Sequence, residues 1–576
     1  MKRWIIVLIV ALLHGCSPSE VADRILVDGT IITVDPNDTI VEALAIKDGR
    51  ILAVGTNREI EAFAGQSTER NELAGQTVTP GLLDAHVHFA LGGVTLLYLL
   101  DLKYPVVESI ADVTRLVRDQ AKELPAGDWV YGQGWDEGKL EEQRYIYASD
   151  LDAVSPDHPV WLSHTMLHYG VANSVALELA GITKETSDPP GGTIDRMPDG
   201  TPTGVLKENA QALVMDLIPE KTPDQWRRGI RRMVKEFHRV GMTGFKEPGI
   251  DRATWEAYQR VLADGDLEAR AFVLWNAPKT LAEAEAFAES ISGFTKPYES
   301  RNSDVLISGG VKMFMDGSGG ARTAWVYDEW NKNRDEIDEG NRGFPMLDPE
   351  ILREQIRVYH DAGLHVSVHA IGDRAIDWVV DSYALALENN PTRGLRHGII
   401  HANIPSDHAL DRIAFLQKEY DSAYPESSAT FVWSLGDTYA GNFGRERALR
   451  LNPFKTYSNR GIRWADGSDH PVMPFAARYG LWASMKRETL LGVHGDHPFG
   501  LEEAVDIRTA LRSRTIWAAR QMFLEDVIGS IEVGKYADLA VWDKNLYAGP
   551  IDAIKDIECQ MTFFAGEPVF VRAAED

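Results

Sequence analysis

His86 and His88 are separated by a single residue in Gly81-Leu82-Leu83-Asp84-Ala85-His86-Val87-His88. The apolar run before them reads as a β-strand, whose side chains alternate between faces, so two imidazoles spaced by two project to one side. Paired imidazoles at a strand end make half of a metal site, because neutral ring nitrogens ligate zinc and related divalent ions. Taken alone, the pair is more commonly a satisfied core feature. Similar groups recur further on: His369 ends LHVSVH, His401 lies in GLRHGIIHANI, and Asp469 lies in WADGSDHPV. Each follows a β-type run and precedes Gly, Pro or helix-start residues. His365, His397 and His470 lie close by and read as packing or supporting residues.

Lys312 is chemically odd. In VKMFMDGSGG, alternation places Lys312, Phe314 and Asp316 on one face and Val311, Met313 and Met315 on the other. A lysine in an apolar strand is costly to bury as a cation, and its pKa should fall. A neutral amine can act as a base, form a Schiff base, or react with carbon dioxide to give a metal-bridging carbamate. An ion pair with Asp316 is the ordinary alternative.

The elements that must position these groups alternate. QWRRGIRRMVKEFHRVG is an amphipathic helix stopping at Gly241, and TGFKEPG follows as a strand. DPEILREQIRVYHDAG is a helix with an Asp cap and a Gly stop before the strand LHVSVHAIG. GDRAIDWVVDSYALALENN then leads to GLRHGIIHANI. Repeated βα alternation predicts a parallel sheet, and the length suits an α/β fold of the (β/α)8 TIM-barrel type. In such a barrel the strands' C-terminal ends carry the active site, which is where these residues fall. The β-rich stretches at both ends, cut by Gly and Asp-Gly turns, predict a small composite β-sandwich domain formed from both termini. The expected domains are a sandwich over 21–80 and 521–576 and a barrel over 81–520, with a capping insertion near 102–208.

The 576 residues include 59 Lys and Arg against 86 Asp and Glu, a formal charge of −27. That balance argues against a nucleic-acid partner, which would need a basic footprint. Cys16 and Cys559 are the only cysteines, so there is no disulfide framework. The N-terminus begins with Lys2 and Arg3, followed by an apolar run, Trp4 to Leu13. That run is shorter than the ~20 residues of a membrane span and reads as a signal segment. It ends in Leu13-His14-Gly15-Cys16, which resembles a bacterial lipobox, with His14 departing from the usual small residue. The resemblance implies lipidation of Cys16 and an exported, membrane-anchored protein. Ser17 resembles a signal for sorting to the periplasmic face of the outer membrane.

Over nearly its whole length the chain resembles the amidohydrolase superfamily, in the family 3 branch that includes N-substituted formamide deformylases. The motifs that carry it run in order through AIKDGRILAVG, TVTPGLLDAHVHF, DLDAVSPDHPVWL, HYGVANSVALELAGI, GTPTGVLKENA, VKMFMDGSGGARTAW, HAIGDRAID, GSDHPV and GSIEVGKYADLAVWD. The resemblance implies metal ligands at His86, His88, Lys312, His369, His401 and Asp469, for one or two divalent ions, zinc foremost. Lys312 matches a position that many relatives carry as an N-carboxylated, metal-bridging lysine. The implied reaction is hydrolysis of an amide or cyclic amide C–N bond by metal-activated water, with Asp469 as the general base. Trp135, His168 and Arg322 are candidate contacts to a small-molecule substrate. One departure is Lys246-Glu247, where relatives often carry a His-Asp pair. Either the substrate differs, or the two residues pair with each other at a strand end. The rival functions are a deaminase, lactonase or isomerase of the same fold, Schiff-base chemistry at Lys312, and a non-catalytic binding lipoprotein. Oligomeric state is not legible.

Overall fold

The computed structural model describes residues 20–295, 304–332 and 339–573. The N-terminal stretch read as a signal segment, with Cys16, lies outside them. Eight parallel strands form the central sheet: strand 1 (Leu82–Asp84), strand 2 (Met242–Ile250), strand 3 (Arg270–Asn276), strand 4 (Leu306–Phe314), strand 5 (His365–Ala370), strand 6 (Gly398–His401), strand 7 (Tyr424–Ser427) and strand 8 (Ala465–Asp466). They pair in chain order from 1 to 8. Strand 1 meets strand 8 through Ala85 N–H donating to Asp466 O at 3.1 Å, which closes a (β/α)8 barrel.

Helices cover the outside because their sequences are amphipathic. Helix Pro223–Arg239 starts with a reciprocal cap between Thr222 and Gln225 and a proline in its first turn. It buries Ile230, Met233, Val234 and Phe237 in the large core outside the strands. Each such side chain contributes about 1.5–3 kcal/mol of burial. The turn after it needs Gly241, at φ 74°, because a Cβ there would sit 2.7 Å from the Trp542 ring. Helix Pro349–Asp361 is capped by Asp348, which accepts from Glu350 N and Ile351 N, and it feeds strand 5.

Both termini build a second unit. A four-stranded sheet (Arg50–Gly55, Ala43–Lys47, Arg24–Val27, Glu69–Glu72) and a six-stranded sheet share one core. Thr30–Ile32, Ile40–Val41 and Thr77–Pro80 of the six-stranded sheet come from the N-terminal part, and Leu539–Trp542, Cys559–Phe564 and Glu567–Val571 from the C-terminal part. Leu26, Leu44, Val78, Leu539 and Phe563 sit in the core between them. Cys559 is buried on the side facing the barrel's large core, and burial pushes its thiol up to about 11, away from the reactive thiolate form.

Between strands 1 and 2 the chain makes a six-stranded mixed sheet running from Leu100–Asp101 to Pro202–Glu208. This insertion has its own core of Leu102, Val130, Trp135, Tyr145, Leu162 and Tyr169. The turn between its strands Val160–His164 and Tyr169–Ala172 carries His168 to the mouth of the barrel.

Candidate metal centre

Strand 1 stops at Asp84, so His86 and His88 are not on a strand face as alternation predicts; they occupy the bend that leaves it. Asp84 is the hinge. Its buried carboxylate accepts from Ser468 N at 2.8 Å and His86 N at 3.2 Å, and pairs with Arg514 at 3.3 Å. Two backbone bonds then stitch the turns after strands 1 and 8 together. Asp469 N–H donates to His86 O at 2.7 Å, and His88 N–H to His470 O at 2.8 Å. Asp469 Oδ1 therefore lies 3.2 Å from His86 Nε2 and 3.4 Å from His88 Nε2.

His401, at the end of strand 6, puts Nε2 4.0 Å from Asp469 Oδ2 and its ring centroid 5.0 Å from that of His86. The His369 ring from strand 5 lies 4.7 Å from the His401 ring. Asp469 at φ 57° and His401 at φ 69° are both in the left-handed region. Non-glycine residues there cost about 1–3 kcal/mol and gather at functional sites.

Lys312 projects from strand 4 into the same space, buried, with Nζ 4.5 Å from the Phe314 ring centroid. Burial draws its pKa down to about 8 against the opposing pull of the Asp469 and Glu426 carboxylates. Asp316 is not held by a lysine. It accepts from the backbone N–H groups of Trp325, Ile371 and Gly372 at 2.9–3.0 Å.

The donor set suits a divalent cation. Burial holds His88, His369 and His401 below the ordinary imidazole range, in the neutral form that ligates metals. Burial would raise Asp469, but His86 and His88 hold it well below the usual carboxylate range, ionised. His86 Nδ1 and Nε2 and His401 Nδ1 are buried without hydrogen-bond partners. Orphaned buried nitrogens are rare, and a metal would account for two of these groups at once. A second close group, Asp136, Glu137 and His164, lies in the insertion. There Tyr169 Oη is 2.9 Å from both Glu137 Oε2 and His164 Nε2, and Lys139 Nζ is 3.2 Å from Asp136 Oδ2.

All six predicted ligands line one cavity of about 490 Å³. Its walls are largely apolar: Met166, Leu167, Phe314, Met346, Leu347 and Val472. Of the three predicted substrate contacts only His168 reaches it. His168 Nδ1 is 2.8 Å from Glu208 Oε2, and the two rings of His168 and His369 are 5.1 Å apart. Burial lowers the His168 pKa, but the Glu208 charge outweighs it and leaves the imidazole raised. Trp135 instead packs inside the insertion, donating Nε1–H to Leu162 O at 2.9 Å. Arg322 is buried against Asn442, away from the cavity lining. Lys246 and Glu247 do not pair with each other. Lys246 points into the barrel to Glu426, at 2.7 Å, while Glu247 points out and accepts from Ala90 N at 2.9 Å.

Glu208 and Glu426 escaped the sequence reading. Glu208 lies near the end of GTPTGVLKENA, and nothing local marks it. Its backbone, at φ 50° and ψ −127°, is strained, and Thr323 Oγ1 also donates to its carboxylate.

The profile of the Amidohydrolase family matches residues 72–570 of this chain. Protein LONG AFTER FAR-RED 3 of Arabidopsis thaliana is 31% identical over 573 residues, covering 96% of this chain and 92% of its own. The N-substituted formamide deformylase of Arthrobacter pascens is 26% identical, with 95% of this chain and 98% of its own covered. Among solved structures, a metal-dependent hydrolase from Pyrococcus horikoshii superposes with a TM-score of 0.70 at 24% identity, over 92% of this chain and 99% of that one. This last likeness shows the fold.

Proposed function

The chain belongs to the amidohydrolase family, and from that premise we propose that this hydrolase cleaves the C–N bond of a small amide or cyclic amide. The observation that carries the proposal is the convergence of six donors from the ends of strands 1, 4, 5, 6 and 8 on one cavity. His86, His88, Lys312, His369, His401 and Asp469 would hold one or two divalent ions, with zinc the first candidate for such a mixed N/O set. A divalent ion bound there supplies Lewis-acid polarisation and a water acidified to a pKa near 7.

The protein's own groups divide the remaining work. Asp469, kept ionised, accepts a proton from the attacking water and returns it to the leaving nitrogen. Lys312, as its carbamate, would offer two oxygens in place of one nitrogen. His168, held through Nδ1 by Glu208, turns Nε2 toward the cavity to meet the polar end of the substrate. The apolar walls accept an apolar substituent. Among the described residues no arginine lines the cavity, while Lys279 lines it with Nζ donating to Asn209 Oδ1 at 3.2 Å.

Metal content per chain, measured by mass spectrometry for wild type and Lys312→Ala, and a panel of formamides, cyclic amides and lactones test the reading. About two divalent ions falling in the variant, with amide turnover, are expected. Turnover of lactones alone would replace the C–N assignment by C–O hydrolysis. A reconstituted wild type that holds no metal would overturn the hydrolase mechanism.

A further inference from the structure

Below the ligand cluster, inside the barrel, a second polar layer joins strands 2, 5 and 7. Lys246 Nζ donates to Glu426 Oε1 at 2.7 Å and to Ser367 Oγ at 2.9 Å, and lies 3.0 Å from His365 Nε2. Ser367 Oγ–H also donates to Glu426 Oε1, at 2.6 Å. The layer sits one step inward from the ligands, since Ser367 precedes His369 by two residues on strand 5. Gly398 on strand 6 makes room for it: a Cβ there would lie 1.9 Å from Glu426 Oε1.

The layer uses only one oxygen of Glu426. Oε2 is fully buried and has no hydrogen-bond partner, yet it lies 3.8 Å from His86 Nδ1, which is also buried and without one. Two orphaned buried atoms of opposite character thus face each other just beyond hydrogen-bond length. His86 turns its other nitrogen, Nε2, toward Asp469 and the cavity. A histidine that ligates through Nε2 carries its proton on Nδ1, and an acceptor for that proton fixes the tautomer and the ring.

We propose that Glu426 is the positioning residue for His86, accepting its Nδ1–H through Oε2, with Lys246 and Ser367 clamping the opposite oxygen. Lys246 keeps this carboxylate ionised in the barrel interior, where a lone anion would be too costly to retain. The proposal rests on the metal-centre reading above.

The test is zinc affinity of the metal-stripped full chain, by competition with a chromophoric chelator. Glu426→Gln is expected to weaken the tighter zinc site by about 10–100-fold. Because that change leaves Lys246 unpaired, the Lys246→Met, Glu426→Leu double variant provides an uncharged layer. It should lose zinc affinity to a similar degree while its metal-free form melts cooperatively. A folded double variant that binds zinc within twofold of wild type would overturn the proposal and leave Glu426 as a counter-ion to Lys246. Absence of zinc binding by wild type would instead sink the metal-centre reading, and the proposal with it.

Discussion

Lys312 shows how one residue's surroundings change its chemistry. An exposed lysine is almost wholly protonated at neutral pH, whereas an amine titrating at about 8 is neutral in roughly a quarter of molecules at pH 7.5. Carbon dioxide adds to the neutral amine alone, so in metal-free protein carbamate should increase as pH rises through 8. Carbon-13 NMR in labelled bicarbonate should show a carbamate signal that grows from pH 7 to 9 and is missing from Lys312→Ala. Identical spectra for the two proteins would leave Lys312 an ordinary amine. Its oddity was legible because a cation inside an apolar strand conflicts with its own neighbours. Glu208 was not legible, because its meaning depends on His168, forty residues earlier in the chain and adjacent only after the insertion folds.

The elements show where periodicity succeeds and where it misleads. Strand alternation separated Lys312 from Val311, and the barrel places Val311 in the apolar core and Lys312 in the cavity lining. It misassigned His86 and His88, whose shared direction comes from the bend after Asp84 rather than from a strand. That bend is packed against strand 8 so closely that a Cβ on Gly467 would lie 2.6 Å from His86 N. Gly467→Ala should therefore push strands 1 and 8 apart, costing about 1–3 kcal/mol, as overpacking typically does. The same change should lower metal content, since it displaces His86. Thermal melting and metal analysis read both effects, and a stable variant with full metal content would contradict the close approach.

At the scale of the whole molecule, the sandwich is fastened to the barrel by charge as well as by apolar packing. Arg270, at the start of strand 3, meets Asp538 with Nε at 2.8 Å and Nη2 at 3.1 Å, and both side chains are buried. The guanidinium is also flanked by the Tyr536 and Phe564 rings of the C-terminal part. Asp538→Ala strands that cation, and breaking a buried pair in this way costs about 3–5 kcal/mol. Denaturant unfolding should show the loss, while the variant that remains folded retains its metal, because no ligand touches the pair. A loss below 1 kcal/mol would mean that solvent reaches the joint.

What the sequence by itself determined was the type and order of the barrel's elements, which follow from local rules: hydrophobic period, caps and breakers. The candidate donors came from residue types that can ligate, together with the family resemblance. Tertiary structure decided everything that depends on distance between remote segments. It chose His168 over Trp135 and Arg322 as the predicted contact that reaches the cavity, and paired Lys246 with Glu426 rather than its neighbour. It also brought Asp469 onto the bend holding His86. The physical reason is that a barrel closes its first strand on its last, so the site is assembled from residues nearly four hundred positions apart.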